Sequence, residues 1–101
     1  DKLLKEMLDL GFEIKISSIA AYGLGKKWLG RTIDMKAYNE LVVLNKEYDL
    51  HVAFEGGEAE TLVTDCPLFK KKLVVKDASV IMESEHTGRW IVKRAVLQEK
   101  V

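Results

Sequence analysis

The sequence contains little of several residues that define specialised protein classes. It has one cysteine, Cys66, which cannot form an internal disulfide, so nothing in it requires an oxidising compartment. It has one proline, no repeat and no low-complexity tract, which excludes repeat proteins and proline-rich linkers. Its apolar runs are too short to span a bilayer, so we expect no membrane partner and a cytoplasmic location.

The sequence also lacks an excess of charge of either sign. Lys plus Arg number 16 and Asp plus Glu number 16, which gives a formal net charge of zero. Proteins that bind nucleic acids need a basic surplus or a basic stripe to meet the phosphates. Aromatic residues make up only 8% of the chain. We therefore expect no nucleic-acid partner.

What remains is the composition of an ordinary folded domain. Hydrophobic residues are 48% and charged residues 32% of 101 residues, enough for one domain. A chain of this length buries roughly 65% of its unfolded surface around one core. The patterns run in the order helix, strand, helix and then mostly strands, which predicts an α+β fold. We expect a small mixed, largely antiparallel sheet with two main helices.

Hydrophobic periodicity locates these elements. Leu3, Leu4, Met7 and Leu8 fall on one face of a first helix that ends at Gly11. "FEIKIS" alternates as a half-buried strand, and a long glycine-containing connection follows from Ser17. The second helix is "MKAYNELVVLNKEY", capped by Asp34, with an inward stripe of Tyr38, Leu41, Val42 and Tyr48. The remaining predicted strands are "LHVAF", "TLVTD", "KKLVV", "SVIMES" and "RWIVKRAVLQ", the last two joined by a hairpin around "EHTG".

The segment "EGGEAET" is the first candidate site. Three glutamates, Glu55, Glu58 and Glu60, surround Gly56 and Gly57. In an extended chain Glu58 and Glu60 project to one side, and glycine permits positive φ or close approach to a ligand. Such a loop fits a magnesium ion, an organic cation or ammonium. It also fits a solvated surface turn, and spacing alone leaves these alternatives open.

The second candidate is the connection "AAYGLGKKWLGRTID". Tyr22 and Trp28 could stack on a cation, and the donors of Arg31 suit a carboxylate or phosphate. The alternative is that Trp28 and Leu29 hold the connection on the core. Its glycines match neither the dinucleotide fingerprint nor the phosphate loop.

The histidines and the cysteine give weaker signals. We interpret His51 as a core histidine, His86 as a solvent-exposed residue of the hairpin, and Cys66 as buried and inert. They are too widely spaced for a zinc site, and we predict no protein-bound metal from them.

Several strings together resemble one family. "YGL", "WLGR" and "EGGEAETLVTDCPLFKKKL" are similar to the C-terminal half of the diphthine–ammonia ligase family, which belongs to the N-type ATP pyrophosphatase group. The resemblance runs over essentially the whole chain, so residues 1–101 are expected to be one C-terminal, substrate-side domain. Two positions depart from the family pattern: Phe54 stands where glycine is common, and Ala59 where an aromatic residue is common.

The resemblance implies an activity that this chain does not carry alone. Family members form the last amide of diphthamide on translation elongation factor two, with ATP and magnesium, through an acyl-adenylate that ammonia attacks. The ATP-binding N-terminal domain carries an SGGKDS-type loop, which this sequence lacks. We therefore expect a fragment or separate domain whose partners are an N-terminal ATP-binding domain and the elongation factor, with no cofactor of its own.

The resemblance also gives the acidic segment a hypothesis. Glu58 and Glu60 are the predicted catalytic residues, one of them taking a proton from ammonium. The predicted substrate-binding residues are Glu55, Gly56, Gly57, Thr61, Arg31 and Trp28. Two alternatives stay open: a non-catalytic module that recognises the elongation factor or forms a homodimer, and amidation of a different carboxylate.

Overall fold

The structure, a computed structural model, describes residues 2–48 and 57–100. Its strands form one sheet in the order β2-β1-β4-β3, and every described pair is antiparallel. The predicted α+β class is confirmed, whereas the predicted strand "LHVAF" lies outside the described residues. The elements are α1 (Lys2–Asp9), β1 (Glu13–Ala20), a 3-10 turn (Lys26–Trp28), α2 (Met35–Tyr48), β2 (Ala59–Asp65), β3 (Lys71–Ser84) and β4 (Thr87–Glu99).

The first helix ends where the glycine predicts. Gly11 has a φ of 92°, and its amide donates to the carbonyl oxygen of Leu8 at 3.1 Å, which closes the last turn. Leu4 is buried, but Leu3 is exposed, so the predicted apolar face packs only in part. Neither helix of the described chain is long and apolar enough to cross a membrane.

The second helix begins with the predicted cap. The Oδ1 atom of Asp34 accepts a hydrogen bond from the amide of Ala37 at 2.8 Å. Ala37 and Leu41 are fully buried, with Tyr38 and Val42 packed partly against the core. Tyr48 was predicted to face inward, which is wrong: this last residue of the helix is largely exposed.

The first strand is longer than the alternation in the sequence predicts. The connection was expected to start at Ser17, but β1 continues to Ala20. The pairing of β1 with β2 shifts register between Ile16 and Ser18. Because such a bulge adds one residue to a strand, Ile19 rather than Ser18 continues the buried row. The two serines therefore interrupt the alternation without ending the strand.

The last two strands form one long hairpin. The segments predicted as separate strands, "KKLVV" and "SVIMES", are both part of β3, which pairs with β4 along its length. Ser84 pairs with Thr87, so Glu85 and His86 make the turn. Thr87 and Gly88, which were expected in the turn, belong to β4.

The core lies between the helices and one face of the sheet. Side chains of β1 and α2 and of the connection between them bury one another there, and each buried aliphatic side chain contributes about 1.5–3 kcal/mol. The other face of the sheet, opposite the helices, is called the open face. The buried cluster consists of Leu4, Ile14, Ile16, Ile19, Leu24, Trp28, Leu29, Ile33, Ala37, Leu41 and Ala59.

Candidate functional site

The end of β1 lies between the acidic segment and the β3–β4 turn. The amide of Ala20 donates to the carbonyl oxygen of Glu58 at 2.8 Å. On the other side, the amide of Ala21 donates to the carbonyl oxygen of His86 at 3.1 Å. Main-chain hydrogen bonds therefore bring two segments that are distant in sequence to the same end of the sheet.

The strand register places an acidic and a cationic side chain in one row across the open face. Ser18 of β1 pairs with Glu60 on one side and with Arg89 on the other. Directly paired residues of an antiparallel sheet point to the same face. The neighbouring pair, Ile19 and Ala59, is buried, so the row of Ser18 faces away from the helices.

A second row lies beside the first. Glu58 is bonded to Ala20 through its carbonyl oxygen, and Ala20 pairs with Thr87. Adjacent strands are about 4.8 Å apart, so the outer members of each row are separated by roughly 10 Å. The middle strand carries small residues between these outer members, and we call the six positions the sheet groove. Its residues are Glu58 and Glu60 on one side, Ser18 and Ala20 in the floor, and Thr87 and Arg89 on the other side.

A cavity opens at the end of the sheet groove. Its volume is about 270 Å³. The ring of Tyr22 lies 5.0 Å from the ring of His86 with a tilt of 57°, and Nδ1 of His86 lies 3.3 Å from the carbonyl oxygen of Leu24. His86, which was predicted to be exposed, is partly buried by these contacts. The cavity is lined by Ala20, Ala21, Tyr22, Ser84, His86 and Thr87.

The two described glutamates of the acidic segment differ in exposure. Glu58 is partly buried, and its Oε1 atom is shielded from solvent. Glu60 is exposed. The prediction that the two carboxylates lie on one side of an extended segment agrees with the strand register described above. A shielded carboxylate beside an exposed one suits different tasks, because desolvation strengthens an interaction with charge.

The glycine pair is described in part. Gly57 has a φ of 80°, a conformation that glycine adopts more readily than other residues, and the space beside its Cα is open. Glu55 and Gly56, together with Phe54 and His51, lie outside the described residues. A role of Gly57 in ligand binding stays a prediction.

Thr61 does not join the two glutamates. It pairs with Ile16, whose side chain is fully buried on the helix side of the sheet. Paired residues share a face, so Thr61 lies on the face opposite to Glu60. Its predicted contribution to substrate binding stays a prediction, without geometric support from the sheet groove.

Trp28 is part of the core. Its side chain is 1% exposed, so the alternative interpretation, that it holds the connection on the core, is confirmed. It also lines a second cavity of about 240 Å³ with residues of α2, including Val43 and Leu44. Substrate binding by Trp28 stays a prediction, and this second cavity is where such contact would occur.

Arg31 holds a carboxylate, but the carboxylate belongs to the same chain. Nη1 of Arg31 donates to Oε1 of Glu40 at 3.2 Å, and Nη2 donates to Oε2. The guanidinium lies 4.4 Å from the ring centroid of Trp28, within cation–π distance. The hydrogen bond to Glu40 raises the pKa of Arg31, and the same bond lowers the pKa of Glu40. A role of Arg31 toward substrate stays a prediction, and two of its N–H groups already donate to Glu40.

Three residues of the sheet groove carry no local signal in the sequence. Ser18, Thr87 and Arg89 were not predicted site residues. Ser18 meets the acidic segment through the pairing of β1 with β2, and Thr87 and Arg89 reach the same rows through the pairing of β1 with β4. Finding them requires the pairing register of "SIA" with "TGR", and periodicity does not supply a register.

The described residues contain no cluster of metal ligands, and the N-terminus of α2 is capped. Across 2–48 and 57–100, no three His, Cys, Asp or Glu side chains are arranged to hold a metal ion. At the N-terminus of α2 the amide of Ala37 donates to the carboxylate of Asp34. Cys66 is buried and unpaired, as predicted.

The fold and the sheet groove together define a small α+β domain with acidic side chains on its open sheet face. The family model of the diphthamide synthase C-terminal domain matches residues 1–98. The chain belongs to this family, and the family resemblance stated from the sequence is confirmed.

Relatives support this assignment over most of the chain. The chain is 39% identical to the diphthine–ammonia ligase of Schizosaccharomyces pombe over 100 residues, which is 99% of the chain and 16% of that protein. It is 45% identical to the Homo sapiens diphthine–ammonia ligase over 86 residues, 83% of the chain and 32% of that protein. For the Mus musculus ligase the identity is 45%, covering 100% of the chain and 39% of that protein. The chain therefore spans less than half the length of these relatives.

Proposed function

We propose that the chain is the substrate-binding domain of an ATP-dependent ligase that joins ammonia to diphthine on elongation factor two, forming diphthamide. The observation that carries the proposal is the position of Glu58 and Glu60 on one open sheet face, in a chain of this family. ATP and magnesium would be bound by another domain of the full-length protein, since the chain spans less than half the length of its relatives.

The chemistry of the substrates explains why acidic residues are needed. Diphthine carries a trimethylammonium group, and ammonium must lose a proton before its nitrogen can attack a carboxyl carbon. In this proposal the exposed Glu60 attracts the cationic substrate. The partly buried Glu58 accepts the proton of ammonium, as a general base does within hydrogen-bond distance. Glu55 is proposed to add to the same negative charge.

The test is Glu58→Gln in the full-length protein. The glutamine keeps the size of the side chain but cannot accept the proton, so kcat/KM for ammonium should fall roughly 100-fold. Amide formation on the elongation factor is measured at limiting ammonium. Glu99→Gln is the matched control, since Glu99 is exposed at the far end of β4 and should leave the rate unchanged. An unchanged rate for Glu58→Gln removes Glu58 from catalysis.

A second candidate is recognition of the protein substrate without catalysis. Ile81 pairs with Arg89, and Ile91 lies two residues further along β4. Both isoleucines are exposed on the open face, as residues of a protein interface often are. Binding of the full-length protein to the elongation factor without ATP tests this candidate. Ile81→Asp and Ile91→Asp should weaken that binding, and unchanged affinity would reject the candidate.

A further inference from the structure

The outer edge of β3 is open over its second half. β3 is the last strand of the sheet order, so only one of its two sides pairs with a neighbour, β4. Within the part of the chain that the structure describes, no backbone–backbone hydrogen bond leads from residues 78–84 to anything outside the sheet. An edge strand presents a row of N–H and C=O groups to which another strand can bond.

The two halves of β3 differ in the features that prevent such pairing. The first half carries three lysines, Lys71, Lys72 and Lys76. Its pairing with β4 shifts register between Val75 and Ala78. Lysines and bulges are devices by which natural proteins keep an edge strand from pairing with other chains. Residues 78–84, which we call the free edge, contain no lysine, arginine or proline, and their pairing with β4 is regular from Ala78 to Met82.

Both faces of the free edge carry an exposed aliphatic side chain. Val80 is 39% exposed and Ile81 is 42% exposed. Met82 pairs with Gly88, and Gly88 pairs with the buried Ile19. Val80 and Met82 therefore lie on the helix side of the sheet, and Ile81 lies on the open face. A neighbouring strand would bury apolar surface on both faces, besides bonding to the main chain.

The charges along β3 favour a second copy of the same strand as that neighbour. Two copies related by a two-fold axis pair antiparallel, and the axis passes a residue because paired residues share a face. With Ile81 on the axis, Val80 lies opposite Met82 of the second copy. Glu83, the one charged residue of the free edge, then lies opposite Ser79, whose hydroxyl can donate to its carboxylate.

The same charges disfavour the two neighbouring registers. With Val80 on the axis, Glu83 lies opposite Asp77, and like charges directly opposite each other destabilise a sheet. With Met82 on the axis, Glu83 lies opposite Ile81, which moves the carboxylate out of water against an apolar side chain. The sequence of the free edge therefore favours the register centred on Ile81.

We propose that the free edge binds the free edge of a second copy of this chain, which joins two four-stranded sheets into one. Ile81 meets its own counterpart on the two-fold axis. A strand this short gives an interface smaller than those of stable complexes, so the association is weak, with a dissociation constant in the micromolar range. The inference is independent of the proposed function, because no residue of the free edge belongs to the sheet groove.

The association of the full-length protein tests this pairing. Analytical ultracentrifugation should show monomers that form dimers as the concentration rises through the micromolar range. Val80→Lys should raise the dissociation constant about tenfold or more, because two lysines then enter the helix side of the junction. Val96→Lys is the matched control, since Val96 is 40% exposed, lies on β4 and should leave the association unchanged.

Disulfide formation tests the register. Directly opposed residues of an antiparallel pair have Cα atoms about 4.5–5.5 Å apart, a distance that a disulfide spans. Ile81→Cys should therefore form a covalent dimer under mild oxidation. Ser79→Cys should not, because its two cysteines would be roughly 14 Å apart at about 3.4 Å per residue. The native Cys66 is buried and adds little background.

Four results would each overturn the inference. They are a wild type that stays monomeric into the millimolar range, Val80→Lys that associates as wild type does, Val96→Lys that loses as much affinity as Val80→Lys, and Ile81→Cys that cross-links no faster than Ser79→Cys. Amide formation by the wild-type protein is measured separately, so the failure of either proposal leaves the other standing.

Discussion

The two faces of β1 differ in burial and in the polarity of the side chains around them. On the helix side, Ile14, Ile16 and Ile19 are at most 2% exposed and form the centre of the core. On the open face, Ser18 and Ala20 are small, and Ser18 lies between Glu60 of β2 and Arg89 of β4. One strand therefore stabilises the fold through one face and presents polar groups through the other.

Two arginines differ in how firmly the rest of the chain holds their side chains. Arg31 makes a bidentate contact with Glu40 and stacks on Trp28, so its donors are engaged within the protein. Arg89 has only a long ion pair with Glu83 among the described residues. The guanidinium of Arg31 is therefore held by two partners of its own chain, whereas that of Arg89 makes an exposed ion pair with Glu83.

Substitutions of two neighbouring residues of β1, one on each face, should differ most in their effect on the free energy of unfolding. Ile19→Ala removes a fully buried side chain and should lower the free energy of unfolding by about 2–5 kcal/mol. Ser18→Ala, one residue away on the open face, should change it by less than about 0.5 kcal/mol. Urea denaturation of the full-length protein followed by a probe in this domain measures both. Equal losses for the two variants would show that the faces are not separated as described.

Loss of the cap of α2, on the helix side of the sheet, should lower stability by less than the loss of the Ile19 side chain. Asp34→Ala removes the acceptor for the amide of Ala37 and should cost about 1 kcal/mol of stability. Asp34→Asn is the control, because asparagine caps helices about as well and should restore most of the loss. Thermal unfolding of the three proteins measures the effect.

The smallest expected effect is the pH dependence of the Arg31–Glu40 pair. The hydrogen bond from Arg31 holds the pKa of Glu40 below its ordinary value of 4.5. The pair therefore stabilises the folded protein above that value, and the stabilisation is lost as pH falls through the folded-state pKa. The stability difference between wild type and Glu40→Gln should be constant near neutrality and shrink as the pH falls below 4.5 through the lowered pKa of Glu40.

The control for this pH dependence is Glu47→Gln, an exposed glutamate of the same helix. It removes the same charge without removing a hydrogen bond to Arg31. Denaturant midpoints measured across the acidic range should therefore differ between the two variants. A Glu40→Gln difference that stays constant down to low pH would contradict the coupling to Arg31.

Local patterns predicted most of the fold. Asp34 before an apolar-periodic segment predicted the start of α2, and Gly11 predicted the end of α1, because caps depend on nearby residues. The end of β1 was misplaced because a bulge near Ser17 shifts the register. Bulges depend on pairing with another strand and leave only a weak trace in the sequence.

The sequence predicted only the acidic side of the candidate site. Glu58 and Glu60 lie close together in the chain, so their spacing indicated a shared role. Arg89 lies far from them in sequence and reaches the same row only through β1. Strand order and register depend on the whole sheet, so no local pattern could assign Arg89 to the site.

The hydrogen bond between the amide of Ala20 and the carbonyl of Glu58 has a consequence for how binding preference can change. Both atoms are main chain, so replacing the side chain at position 20 reshapes the floor of the sheet groove without releasing the acidic segment from its anchor. The proposed binding role of the acidic segment therefore predicts that single exchanges at position 20 change ligand preference while the main chain of that segment keeps its place.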